Sequence, residues 1–227
     1  GLGTWASLTA KTAFALVGVG AYLTLFADPV LVKPVALVVL CGLILVNVVG
    51  VGKASKLQVL AVTISLVALA VFGVWGSTTI VAARYEPPLP QGMAGIAAGA
   101  AFVFVSYAGV TKICSLAEEV HHPGRNLPLG MLTAHISVMV IYALVGWVIV
   151  GNVPPDLLHH TKTPIAQAAD GIGGHGFLVV MAVVSILGLI SMSNAGVMSA
   201  SRYPFAMARD RKLPGWVNRL SPRFATP

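Results

Sequence analysis

Polar chemistry in this chain is concentrated between Phe102 and Pro128, in the stretch FVFVSYAGVTKICSLAEEVHHPGRNLP. Ser106, Tyr107 and Thr111 offer hydroxyls there, and Gly109 offers bare backbone, all inside one apolar run. A helix broken at membrane depth frees N–H and C=O groups that can hold a small solute. Such irregular backbone is tolerated only where protein or a water-filled cavity surrounds it. Lys112 follows in the same run. A charge at the bilayer centre costs at least ~2.5–3.5 kcal/mol, which makes it a functional candidate. The plainer reading is that its four-carbon stem carries the ammonium to the interface. Lys11, inside an apolar run of its own, has the same two readings.

Glu118 and Glu119 come where that helix must end, shortly before Pro123. Negative charge at a helix C-terminus opposes the dipole, so these carboxylates call for cationic partners. Arg125, Arg202 and Arg209 are available on the same side, and the pattern suggests a latch rather than a solvated acidic turn. Ser191, Ser193 and Asn194 fall within one turn of another run. They can bond across helices or supply oxygens to a hard cation. Ser191 and Ser193, with Lys112, are therefore the candidates for ion or proton coupling. Asp156, His159, His160, Asp170 and His175 lack helical metal-ligand spacing and read as a polar loop, so no metal is expected. No hydrolase triad, phosphate loop or channel filter is seen; neither an enzyme nor a cofactor is expected.

These residues are set in 227 that are 57% hydrophobic and only 9% charged. Ordinary soluble domains carry roughly 25% charged residues, so a water-soluble fold is excluded. Apolar runs of about 18 residues or more read as membrane-crossing helices. Such runs cover about 4–26, 35–51, 57–75, 93–117, 129–150 and 177–198, giving one all-α membrane domain over 1–227 with the bilayer as partner. Asp28–Pro29, Lys33–Pro34 and the proline-rich RYEPPLPQ separate the runs. Gly95 and Gly99 form a small-xxx-small pair, and Gly18 and Gly20 thin the first run, as close helix packing in lipid requires. Cys41 and Cys114 lie in apolar runs and read as buried free thiols.

The net charge of +7 is topogenic rather than a nucleic-acid surface, because the basic residues sit in short connectors. Lys53, Lys56, Arg125, Arg202, Arg209, Arg211, Lys212, Arg219 and Arg223 follow the second, fourth and sixth runs. Only Lys33, Arg84 and Lys162 lie on the other side, so the first group is expected to be cytoplasmic.

The segment SYAGVTKICSLAEEVHHPGRNLP resembles the sixth-helix signature of the amino acid–polyamine–organocation transporter superfamily. SASRYPFAMARDRKLP resembles that superfamily's segment after its eighth helix, and NVVGVGKASKLQ its connector between helices four and five. The resemblance covers essentially the whole chain and makes its runs family helices three to eight. It implies a six-helix fragment of a LeuT-type inverted-repeat fold, with further helices before residue 1 and after residue 227. It places the sixth-helix break at Ser106, Tyr107, Ala108 and Gly109, with Phe104 as the aromatic beside the substrate. The implied activity is secondary active transport of an amino acid across the plasma membrane by alternating access. The implied cytoplasmic gate is Glu118, Glu119, Arg125, Arg202, Arg209 and Asp210.

The chain departs from this pattern in two places. Val110–Thr111 stands where many members have Phe–Glu, and Ser65 stands where some relatives carry a lysine in place of sodium. Either a proton or a sodium ion is therefore an open co-substrate, and Lys112 is the nearest charge. A polyamine or other organic cation is the alternative cargo, although it would want mid-membrane carboxylates and the runs hold none. The reading from another class is a membrane subunit of a proton-translocating enzyme complex. That would want charges near the centre of several helices, and the second, third and fifth runs have none.

Overall fold

The computed structural model describes residues 2–49, 51–86, 91–107 and 120–214, and among them every regular element is helical. The helices are α1 Leu2–Leu23, α2 Val32–Val49, α3 Val51–Ser77, α4 Gly92–Tyr107, α5 Pro123–Asn152, α6 Pro155–His160 and α7 Pro164–Arg209. Among the described residues, α1, α5, α7, the segment Pro29–Val48 and the segment Gln58–Ser77 are long and apolar enough to cross a membrane. The described part of α4 is a shorter apolar helix.

Proline sets the starts of these helices more than the apolar patterning does. A 3₁₀ turn at Pro29–Leu31 runs directly into α2, so Pro34 falls in the first helical turn. An N–H missing there would have had no intrahelical partner. α5 likewise begins at Pro123, upstream of the apolar run that starts near 129. His122 precedes it in the left-handed region (φ 50°, ψ 60°), and Asn126 Nδ2 donates to His121 O at 2.6 Å. Arg125 and Asn126 are thereby first-turn residues of α5. The same helix ends where Val153 turns extended ahead of Pro154.

α7 is two helices joined at Gly174, whose φ of 70° and ψ of −171° only glycine adopts easily. Its second part, residues 175–209, outruns the apolar stretch that ends near 198 and carries the segment SRYPFAMAR as helix through Pro204. It stops where Arg211 takes a positive φ and Lys212 N–H bonds back to Met207 O at 2.8 Å.

The chain divides into two compact units, Gly1–Ala68 with His175–Pro227, and Leu69–Gly174. In the first unit, the second part of α7 runs antiparallel to α1. A Cβ added at Gly18 would lie 3.1 Å from Leu189, and one added at Gly196 would strike Thr12 Oγ1, so contacts advance along one helix as they retreat along the other. The same helix is antiparallel to α3, with Ser65 over Gly188 and Gln58 bonded to Asn194. Gly20 lets α1 meet Val32 closely at the start of α2.

In the second unit, the end of α3 and α5 run parallel: Gly73 receives Leu144, Gly76 receives Val148, and Thr79 donates to Asn152 Oδ1 at 2.7 Å. Asn152 returns a bond to Gly76 O at 3.0 Å. The turn Ala82–Tyr85 closes this end. Arg84 donates to Gly151 O at 3.1 Å and Tyr85 to Trp147 O at 2.7 Å, with the Tyr85 and Trp147 rings stacked at 4.5 Å. Burial raises the Tyr85 pKa, which keeps the phenol protonated as the donor this bond requires.

Two expectations from sequence change here. Among the described residues, nothing lies within 4 Å of a Cβ placed at Gly99, and the one at Gly95 meets Gln91 of its own chain segment. The close packing falls on Gly18 and Gly20, as expected, and on Gly73, Gly76 and Gly196. Cys41 is exposed, not buried, because α2 turns most of its surface outward.

Candidate functional site

α4 leads into the stretch where sequence concentrates its chemistry. Phe104 is 75% exposed on the last turns of α4, Ser106 lies in the same turn, and Tyr107 is the last residue of α4. Ala108, Gly109, Thr111, Lys112, Glu118 and Glu119 lie outside the described residues. Tyr107 is held from α5 by two rings. His135 lies 4.6 Å from it between centroids and Tyr142 lies 5.7 Å away, both tilted by about 50°. His135 and Tyr142 are two helical turns apart, so one face of α5 presents both to Tyr107.

Arg125 is exposed at the start of α5, and Arg209 and Asp210 are exposed at the end of α7, where Arg202 is half-buried. Arg125 belongs to one compact unit and the other three to the other. Both segments are helical, so the basic connector residues are carried on helix ends rather than on irregular loops.

Ser191 and Ser193 are both buried, Ser193 completely. Ser193 donates its hydroxyl to Leu189 O at 2.8 Å, the local back-bond common for serine in apolar helices. Ser65 does the same to Ala61 O at 2.9 Å. Asn194, next to Ser193, instead reaches across helices. Asn47 Nδ2 of α2 donates to Asn194 Oδ1 at 2.7 Å, and Asn194 Nδ2 donates to Gln58 Oε1 of α3 at 3.2 Å. Asn47 Nδ2 also caps Leu43 O at 2.8 Å, which fixes the direction of the amide chain. The Asn47 Oδ1 carbonyl is then left buried without a hydrogen-bond partner among the described residues.

This chain of amides ties three helices together in surroundings that offer few other polar groups. Asn194→Ala would strand a donor on Asn47 and an acceptor on Gln58, for a loss of about 1 kcal/mol in a bilayer. The loss should be strongly non-additive with Asn47→Leu in thermal unfolding of the lipid-embedded full-length protein. Additive losses would show that the two amides act independently.

Sequence reasoning singled out Asn194 and Tyr107 but missed Asn47, Gln58 and His135. Asn47 and Gln58 stand at the two ends of NVVGVGKASKLQ, which was the available signal. His135 is a titratable side chain inside an apolar run, a signal as clear as that of Lys112.

Long apolar helices tied by sparse interhelical polar bonds, with small residues at the crossings, define a multi-pass helical membrane protein. The chain belongs to the amino acid permease family, whose profile matches residues 1–227, and it is accordingly a transporter-family protein and not an enzyme. It is 31% identical over 167 residues to an uncharacterized transporter of Rhizobium meliloti, covering 72% of this chain and 36% of that protein. It is 29% identical over 178 residues to the methylthioribose transporter of Bacillus subtilis, covering 78% of this chain and 38% of the relative. The vacuolar cationic amino acid transporter 4 of Arabidopsis thaliana is 31% identical over 204 residues, covering 87% of this chain and 34% of its own length. The chain therefore spans about a third of each of these relatives.

Proposed function

We propose that the protein to which this chain belongs carries an amino acid across the plasma membrane by alternating access. The observation that supports it most is the amino acid permease match along the full 227 residues. In this reading Phe104, Ser106, Tyr107, Ala108, Gly109 and Thr111 form the substrate segment. A zwitterion brings one charge of each sign, and backbone N–H and C=O groups freed at a broken helix offer partial charges of both signs. No Asp or Glu is required in the apolar runs, and none is present there.

Glu118, Glu119, Arg125, Arg202, Arg209 and Asp210 form a cytoplasmic gate in the same reading. The connectors that carry them face the cytoplasm because lysine and arginine concentrate there. Coupling runs through a proton on Lys112 or through a cation at Ser191 and Ser193.

A second reading has one observation in its favour. The methylthioribose transporter of Bacillus subtilis is named for a thio-sugar, so a polar solute other than an amino acid is the competing substrate class. Uptake by the full-length protein reconstituted in liposomes separates the two. Time-dependent, saturable accumulation of at least one labelled amino acid is expected. Accumulation of thio-sugars or polyamines, with every amino acid inert, would replace this reading.

A further inference from the structure

Two tryptophans stand level at one end of the Leu69–Gly174 unit. α3 and α5 run parallel there, with Gly73 receiving Leu144 and Gly76 receiving Val148. Trp75 of α3 and Trp147 of α5 therefore share one height along the two helices. Trp75 is 45% exposed and Trp147 is 54% exposed. The turn Ala82–Tyr85 braces the second indole. The Tyr85 ring stacks on it at 4.5 Å, and the Tyr85 hydroxyl donates to Trp147 O at 2.7 Å.

Formal charge is missing on one side of this level and returns on the other. No Asp, Glu, Lys or Arg lies between Lys56 and Arg84, or between Arg125 and Asp156. Along α5, Arg125 and Trp147 are about 33 Å apart. The hydrocarbon core of a bilayer is about 30 Å thick. The helix thus runs from a charge at one boundary of such a core to an indole at the other. Past Trp147 the groups turn polar. Thr79 donates to Asn152 Oδ1 at 2.7 Å, and Arg84 donates to Gly151 O at 3.1 Å. Gly151 lies about 6 Å farther along the axis than Trp147, so Arg84 stands where the headgroup phosphates of a bilayer so placed would lie. It also takes up one of the carbonyls left over at the C-terminus of α5.

The chemistry of the two indoles says what covers them. Where these helices meet protein, the contacts are Gly73 with Leu144 and Gly76 with Val148, small residues against wholly apolar ones. An indole has a large apolar body and one N–H donor, and it is enriched where hydrocarbon meets water. Two exposed indoles at one height fit that boundary, with apolar helix of hydrocarbon length on one side and an arginine on the other.

We propose that Trp75 and Trp147 form a docking surface for phospholipid at the boundary between acyl chains and headgroups, in the leaflet away from Arg125. The partner is the lipid surface itself. The pair sets the depth at which this end of α3 and α5 sits in the bilayer, whatever solute the full-length protein carries.

The test is tryptophan fluorescence of the full-length protein in liposomes made from brominated lipids. The bromine is placed either near the headgroup or near the end of the acyl chain, and it quenches only an indole that it touches. Subtracting the emission of Trp75→Phe or Trp147→Phe from that of wild type isolates each indole. Trp75→Tyr and Trp147→Tyr give the same subtraction where a Phe variant fails to fold. Each isolated emission is expected to be quenched at least about twofold more strongly by bromine near the headgroup than by bromine near the chain end. Emission that neither lipid quenches would show that protein covers the indoles. Stronger quenching from the chain end would place them deep in hydrocarbon. Either of these results overturns the proposal.

Discussion

Gly196→Val in the full-length protein should abolish most of the folded product, and Gly196→Ala should lower its stability by about 1–3 kcal/mol. Thr12 is the cause. Its hydroxyl is buried and donates to Leu8 O at 2.9 Å, and a Cβ at position 196 would fall onto that oxygen. The Thr12 side chain packs directly on the bare backbone of Gly196, so neither helix can retreat alone. About two turns away, a Cβ added at Gly18 would lie 3.1 Å from Leu189. Thr12→Gly should rescue much of the Gly196→Ala loss in thermal unfolding, because it removes the colliding atoms. A Gly196→Ala protein as stable as wild type, or one that Thr12→Gly fails to rescue, would show that α1 and α7 are not packed in this register.

The second large effect is functional. Tyr107→Ala is expected to raise the KM for amino-acid uptake at least roughly tenfold. Two losses combine: the aromatic wall of the proposed substrate segment, and the contacts that hold the end of α4 against His135 and Tyr142. Tyr107→Phe keeps both rings in contact and should lose much less. Equal losses in the two variants would assign the effect to the hydroxyl and not to the aromatic contact.

Sequence reading was most informative where one-dimensional pattern carries the physics. The apolar runs became helices because nothing but a helix satisfies every backbone group within its own segment in lipid. Helix ends were less legible. Pro34 and Pro123 sit inside first turns, so the helices begin before their apolar runs, and Pro204 does not stop α7. Gly174 was not marked as a break, because positive φ leaves no trace in hydropathy.

The candidate site was legible by residue type and not by partner. Asn194 was visible as a polar residue in an apolar helix, but its bonds to Asn47 and Gln58 depend on the register between three helices. No periodicity within one helix encodes that. His135 was passed over because a formal charge count leaves histidine out, and its contact with the Tyr107 ring depends on how α4 and α5 pack.

Equilibrium binding to the purified full-length protein tests the central claim, an amino-acid site beside Tyr107, most directly. A labelled amino acid should bind saturably to wild type, be displaced by excess unlabelled amino acid, and bind at least roughly tenfold more weakly to folded Tyr107→Ala. Binding of unchanged affinity in that variant, or no amino acid bound by folded wild type, would contradict the claim.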